Sequence, residues 1–396
     1  MFIATKIRLY PKLAQEAKLA SNFGCARWVW NEALALCKET YAITGKSLTY
    51  YTLQNRLPAL KIKNPWLKEA DSQALQQSLQ NLARAYENFF AKRGKFPKFK
   101  SKHDRQSISY PQRVVLRDMP DGVVGLRRNI YLPKIGDTKC IVHRELVGKQ
   151  KTVTVSKSAS GQYHAAVLVD DGVEAPTLVP YVRSAIGIDV GLTDIAVTSN
   201  GAKYVNPRHL QRTRANLKRK QQSLSRKKNG SNTRAKAKLL VAKVHQRISS
   251  CRADYLHKLS RRIVDENQVI AVETLNVKGM LKNSKLAKSI SDVSWSMLSG
   301  FLEYKAERAG KAFVKVDRWF PSTKTCNDCG HLSGSKPLDV RSWQCTKCNT
   351  RHDRDINAAK NIRDEALRML LAASNQVQMT VGHTVTASGG CVSHEA

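Results

Sequence analysis

Two Cys-x2-Cys pairs, Cys326/Cys329 and Cys345/Cys348, are separated by fifteen residues, and no other feature constrains the chain as strongly. Zn²⁺ prefers tetrahedral thiolate coordination, and two such corners at this separation can converge on one ion. Gly330 and Asn349 directly follow the corners, where a tight turn around a metal is needed. Four sulfurs leave no position for water, so the expected ion is a single structural Zn²⁺. It would hold together a ribbon with too few apolar residues for a core of its own. His352 is then left over, and is expected to face solvent or a phosphate. Cys25, Cys37, Cys140, Cys251 and Cys391 lack metal-ligand spacing and read as inert thiols. Cysteine usage of this kind points to a reducing compartment, such as cytoplasm, and to metal ligation in place of disulfides.

Charge narrows the partner. The 396 residues carry 67 Lys and Arg against 31 Asp and Glu, a formal charge of +36. Such a chain repels itself unless a polyanion balances it, so a nucleic acid is the expected partner. There is no run of eighteen apolar residues to span a bilayer, and the opening MFIATKIRLYPK is too charged for a signal peptide. A membrane role is therefore not expected.

Periodicity divides the chain. Residues 2–9 alternate as a strand, and residues 12–41 have helical spacing, with Trp30 on the core face beside Ala26, Val29, Ala33 and Leu34. A second amphipathic helix runs from Asp71 to about Lys92, through Leu75, Leu79, Leu82 and Tyr86. Short strand patterns with Gly and Pro punctuation continue to about residue 180 and fit a small β-barrel. The first strand is expected to return to it, making the helices an insertion. From residue 184, strand patterns at 184–205 and 269–277 flank a segment, 208–262, with eighteen Lys or Arg and one acid, Asp254. It reads as two helices broken at Asn229-Gly230 and lying along a phosphate backbone. Lys218, Arg219, Lys220, Arg226, Lys227 and Lys228 are the expected contacts.

Three acids each adjoin an apolar pattern. Asp189 interrupts the apolar strand run AIGIDVG, Glu273 ends VIAVE, and Asp355 opens a helix whose Ile356, Ala359, Ile362, Ala366 and Leu370 share a face. A charge at a buried strand end is costly unless it is paired or metal-bound. Bland readings exist for each: an arginine partner for Asp189, an exposed end for Glu273, an N-cap for Asp355, with Asp353 competing for that cap. Together, the order strand-Asp, strand-end-Glu, helix-start-Asp is that of a ribonuclease-H-like sheet assembling a hard-cation site. Two Mg²⁺ held there by oxygen ligands would support phosphodiester hydrolysis. The expected chemistry is that of a nuclease.

The segments GIDVGLTDIAV, VIAVETL, FPSTKTCNDCG and WQCTKCNTRHDRDINAAKNI resemble the nuclease core and zinc ribbon of the transposon-encoded TnpB family, relatives of type V CRISPR effectors. FGCARWVWNEAL, LTYYTLQNRL, ALQQSLQNLARAYENFF and GKFPKFKSK are similar to its N-terminal part, so the likeness extends to about residue 372. The resemblance implies an α+β multidomain chain. A split β-barrel (wedge) would comprise 1–10 and 93–180, with a helical recognition domain inserted at 11–92. A RuvC-like RNase H fold would follow at 181–317, carrying the basic insert 208–262, then a zinc ribbon at 318–352, the last RuvC helix at 353–372 and a disordered tail at 373–396. It further implies an RNA-guided DNA endonuclease with Asp189, Glu273 and Asp355 as catalytic, magnesium-binding residues. The partners would be a guide RNA from the transposon end and double-stranded target DNA, in a monomeric ribonucleoprotein. Matching positions for readers of a short flanking motif are Tyr50, Ser72, Gln73 and Gln76. Two other readings share these features: a nuclease-inactive RNA-guided repressor, and a conventional RNase H-like transposase or resolvase.

Overall fold

The computed structural model describes residues 1–118, 127–174, 176, 183–334, 336–337 and 339–386, with 374–386 as backbone only. The chain forms two compact units: Met1–Glu174 with Lys227–Lys243, and Ala175–Arg226 with Val244–Ala396.

The first unit begins with β1 (Phe2–Tyr10), α1 (Leu13–Thr44), α2 (Tyr50–Asn55), α3 (Leu57–Lys63) and α4 (Ser72–Phe90). Six strands follow: β2 (Gln106–Tyr110), β3 (Val115–Asp118), β4 (Arg127–Leu132), β5 (Gly136–Ile141), β6 (Lys149–Lys157) and β7 (Tyr163–Asp170). All pair antiparallel in the order β2-β6-β7-β1-β5-β4-β3. The first strand does return, to the middle of the sheet, so the four helices are an insertion. The sheet is a curled half-barrel and not a closed barrel: β2 and β3 are its edges among the described residues. It curls far enough that Gln150 Nε2 in β6 donates to the Val114 carbonyl beside β3 at 2.8 Å. Residues 119–126, within the expected run of short strands, and the boundary expected near 180 lie outside the described residues.

Helix α1 buries Leu19, Phe23, Ala26, Val29, Trp30, Ala33, Leu34 and Cys37, a three-to-four-residue stripe. It stops at Gly45, whose φ of +65° suits glycine and whose N–H bonds Tyr41 O. Asp71 starts α4 by accepting the Gln73 and Ala74 N–H groups at 3.1 Å each. Leu75, Leu79 and Leu82 then pack on the α1 stripe. Trp30 is buried in this core as expected, its Nε1 donating to Lys98 O at 3.0 Å.

The second unit contains β8 (Ala185–Asp189), β9 (Asp194–Thr198), β10 (Lys203–Val205), α5 (His209–Ser225) and the C-terminal part of α6 (Asn232–Glu266). The break between α5 and α6 includes Asn229-Gly230, with φ +82° at Gly230. Next come β11 (Val269–Glu273), α7 (Val277–Met280), α8 (Ala287–Val293), α9 (Trp295–Arg308), β12 (Ala312–Val316), β13 (Ser342–Gln344), β14 (Arg351–Asp353) and α10 (Arg354–Thr386). A five-stranded sheet runs β10-β9-β8-β11-β12; β10, β9 and β8 are antiparallel, and β8, β11 and β12 parallel. Both faces of its centre are covered, hence the unbroken apolar runs AIGI and VIAV. Val269 and Ala271 pack with Ile362 and Ala366 of α10. On the opposite face, Ile270 and Val272 pack with Leu256 and Ile263 of α6 and with Leu298 and Leu302 of α9.

Gly187 sets how closely α10 approaches. A Cβ there would lie 1.9 Å from Ala359 O and 2.6 Å from Arg363 N, both backbone atoms that cannot rotate away. Gly187→Ala is therefore expected to push the helix off the sheet and cost about 3 kcal/mol or more. Chemical denaturation checks this, and an unchanged midpoint would contradict the close packing. Helix α10 also corrects the expected tail, since its backbone is helical to Thr386; residues 387–396 lie outside the described part.

Candidate metal centres and nucleic-acid surfaces

The four cysteines come together. Their Sγ atoms lie within 4.8 Å of one another, with Cys326–Cys348 and Cys329–Cys345 both at 3.7 Å. Zinc–thiolate bonds of about 2.3 Å at the tetrahedral angle place sulfurs about 3.8 Å apart, so the donor set fits Zn²⁺. Each corner turns where the sequence indicated. The Gly330 N–H bonds Cys326 O at φ +70°, and the Asn349 N–H bonds Cys345 O at φ +59°, both at 2.9 Å.

His352 overturns its expectation. It is only 7% exposed, lies 4.7 Å from the Trp343 ring centre, and has Nε2 3.0 Å from Cys326 Sγ. The β13/β14 register pairs it with Trp343, which turns both rings inward over the cysteines. Its place is beside the metal corner, not at the surface.

The ribbon is fastened to the start of α10 through asparagines. Asn357 Nδ2 donates to Thr325 O at 2.8 Å, and its Oδ1 accepts the Asn327 N–H at 3.0 Å. Asn361 Nδ2 donates to Ser322 O and Thr325 O at 2.7 and 2.8 Å, and its Oδ1 accepts from Asn327 Nδ2 at 3.1 Å. Asn357 and Asn361 are both buried, so these bonds are costly to lose. The sequence reading missed them, although two asparagines one turn apart beside an apolar helical stripe were a usable signal.

Asp353, not Asp355, caps α10. Its Oδ1 accepts the Asp355 and Ile356 N–H groups at 3.1 Å each, and its Oδ2 takes the Lys203 ammonium at 2.6 Å. Burial opposes the charge, but Lys203 and the two amides hold the Asp353 carboxyl below the usual range. The Asp355 carboxylate is thus free of capping. It pairs only loosely with Arg341, at 3.3 Å.

Asp189 and Glu273 end the adjacent parallel strands β8 and β11, whose register pairs Ile188 with Val272. Asp189 is half-buried but ringed by protein. Its carboxyl is pushed up to about 7 by lost hydration and by the charges of Asp355 and Glu273, against the Val190 N–H and Arg354. Burial likewise raises Glu273, which borders a largely apolar cavity of about 320 Å³ with Val190, Trp295 and Leu302. Asp189 thus feels the charges of both Asp355 and Glu273, and carboxylate oxygens are donors that suit a hard cation; among the described residues, however, the group whose ligand atoms all lie within 4.8 Å of one another is the four cysteines and not these acids. Gly187 was the missed member of this arrangement, because it brings α10, and with it Asp355, onto β8.

The other expected residues divide. Ser72 and Gln76 line a cavity of about 460 Å³ with Gln54, Asn55 and Lys61, and Lys61 donates to Ser72. Gln73 is half-buried at the start of α4. Tyr50 does not join them; it lines a separate aromatic cavity with Leu53, Tyr86 and Phe90. Lys218, Arg219, Arg226, Lys227 and Lys228 are exposed and Lys220 half-buried, and none forms an ion pair among the described residues. No described helix is long and apolar enough to cross a membrane.

Comparison with known proteins agrees with this layout. Residues 166–284 match the OrfB_IS605 profile, "Probable transposase", and residues 295–362 match "Cas12f1-like, TNB domain". Residues 1–46 match a profile described as "Helix-turn-helix domain", although the chain there is a strand and one long helix. A solved structure, "Cryo-EM structure of the Cas12f1-sgRNA-target DNA complex", shares the fold: TM-score 0.50 and 14% identity, covering 92% of this chain and 98% of that one. The class is therefore a mixed α+β protein with the compact-effector fold. A "Putative RNA-guided DNA endonuclease" of Streptomyces pristinaespiralis is 40% identical over 371 residues, covering 91% of this chain and 88% of the relative. "Putative RNA-guided DNA endonuclease InsQ" of Escherichia coli K12 is 32% identical over 392 residues, with 95% and 94% covered. The chain belongs to the transposon-encoded TnpB (OrfB) family.

Proposed function

We propose that this chain is a transposon-encoded, RNA-guided DNA endonuclease that hydrolyses target phosphodiesters at Asp189, Glu273 and Asp355. The observation that carries the reading is the coupling of these acids at one end of a mixed sheet, with Asp189 raised to about 7 partly by the other two. The β10-β9-β8-β11-β12 order, three strands antiparallel and then two parallel, supports reading this sheet as an RNase H-like (RuvC) core. On this reading 181–317 and 353–372 form the nuclease and 318–352 the zinc ribbon. The half-barrel of 1–10 and 93–180 is the wedge, with recognition helices at 11–92.

Two Mg²⁺, when bound by the three carboxylates, supply water activation and leaving-group stabilisation. The chain's own groups do the rest. Asp189 and Glu273 offer oxygens from rigid strand ends. Arg341 steadies Asp355, and Asp353 and Lys203 keep the cap occupied so that Asp355 stays available. Base pairing by the guide would select most of the target, while exposed cations hold the backbones.

The deciding experiment is cleavage of a matched plasmid by protein copurified with its guide RNA, with and without Mg²⁺. No cutting of a matched, correctly flanked target would overturn the proposal. A pH signature accompanies it. Asp189 must lose its proton to bind a cation, so the Mg²⁺ concentration for half-maximal cleavage is expected to fall about tenfold per pH unit up to about 7, then level off. A requirement for Mg²⁺ that is flat from about pH 5.5 to 8 would count against Asp189 as a ligand.

A further inference from the structure

The turn that follows Asp189 carries a second, unassigned pocket. Its volume is about 370 Å³, and its lining includes Thr193, Arg208, Arg214, Lys288, Ser289 and Asp292. Asn206 fixes the geometry. Its N–H bonds Thr193 O at 3.1 Å, its Nδ2 donates to Leu192 O at 2.9 Å, and its Oδ1 accepts the Arg208 N–H at 3.0 Å. The β8–β9 turn is thereby tied to the start of α5. Trp295 Nε1 secures the same turn by donating to Gly191 O at 3.3 Å. Leu192, on the pocket rim, is three residues from Asp189, so it lies within about 11 Å of it along the backbone.

The charges in the pocket do not cancel. Asp292, its acid, is already engaged: it accepts from Arg252 at 2.9 Å and from the Leu210 N–H at 3.1 Å. Arg208, Arg214 and Lys288 form no ion pair among the described residues. Three cations, with Thr193 and Ser289 hydroxyls beside them, converge on an open polar cavity next to the carboxylate cluster. Fork-shaped guanidiniums and a flexible ammonium suit the oxygens of a phosphodiester. A phosphodiester is also the group that must approach the neighbouring acids.

We infer that Arg208, Arg214 and Lys288 form a phosphate subsite that grips the DNA strand being cut, beside the scissile position. The inference rests on the nuclease reading of Asp189, Glu273 and Asp355. The cations draw in a backbone that the acids alone would repel, and the tie through Asn206 keeps grip and carboxylates in register.

The test uses the guide-loaded complex carrying Asp189→Asn, so that bound DNA stays intact, with and without Arg214→Gln plus Lys288→Gln. Both side chains are exposed, so folding should survive, and a melting curve confirms it. A labelled, non-matching single-stranded DNA is titrated over a range of KCl, and labelled guide RNA is titrated onto the free protein in parallel. For the DNA, affinity is expected to fall roughly tenfold and the salt slope to shrink by about 0.7 per lost contact, while guide binding is unchanged. Lys288→Arg should restore most of the loss. An unchanged DNA slope, or an equal loss in the guide arm, would overturn the subsite. Plasmid cutting by the wild-type complex is scored separately: an active wild type with unaffected variants refutes the pocket alone, whereas an inactive wild type refutes the nuclease reading.

Discussion

Asp189→Asn is expected to abolish DNA cutting by the guide-loaded complex, a loss of at least about 10³-fold, while guide binding stays at the wild-type level. Removing a single preorganised hydrogen-bond donor from an active site costs about 10²–10³ in rate, and a shared metal ligand contributes more than one donor. The same substitution should stabilise the metal-free protein. The folded-state value of Asp189, about 7, lies above the usual 3.8, so its contribution to stability is present below about pH 4 and is lost as pH rises through 7. Above that point the wild type carries a crowded anion that asparagine lacks. In EDTA at about pH 8 the variant should therefore unfold later than the wild type, by up to a few kcal/mol, and by nothing near pH 4. Mg²⁺ should erase the difference by stabilising the wild type alone. Equal melting at both pH values, or persistent cutting, would remove Asp189 from the proposed centre.

Cys326→Ser is expected to release zinc and, with it, to inactivate a cluster to which it contributes no ligand. The Cys326 N–H and carbonyl sit in the first metal corner, next to the Asn327 that Asn357 and Asn361 grasp. Without the ion the ribbon loses its principal source of folding free energy, on the order of 10 kcal/mol for structural thiolate sites. Thr325 and Ser322 then cease to hold the buried asparagines, and the first turns of α10, which carry Asp355, lose their anchor. The expected result is no bound zinc by mass spectrometry, a protease-sensitive ribbon and cutting reduced below detection. One zinc per chain in the variant, or full activity without zinc, would separate the ribbon from the carboxylates. Why a zinc-clamped hairpin is joined to an acidic helix thus has a physical answer: the ribbon supplies hydrogen-bond acceptors to the helix start, and the helix supplies Asp355.

Spacing and periodicity in the chain already specified the four thiolates that converge, the returning first strand and the helical insertion, and singled out the three acids on which the proposed function rests. Each depends on local chemistry or on a pattern repeated along one element: thiolate spacing, apolar runs at strand ends, a helical stripe. Other features were decided only when distant segments met. Gly187 looked like one residue of a strand until α10 crossed it. His352 looked spare until β13 and β14 paired and turned it onto Cys326. Tyr50 matched a motif, yet faces a different cavity from Ser72 and Gln76. The barrel is open because β2 and β3 do not pair among the described residues, and no strand pattern records which strands lie at an edge. Which residues can bind an ion is set by side-chain chemistry, so the sequence determines it. Which of them share an ion is set by packing across the sheet and by hydrogen bonds between segments over a hundred residues apart, and only the tertiary structure decides that.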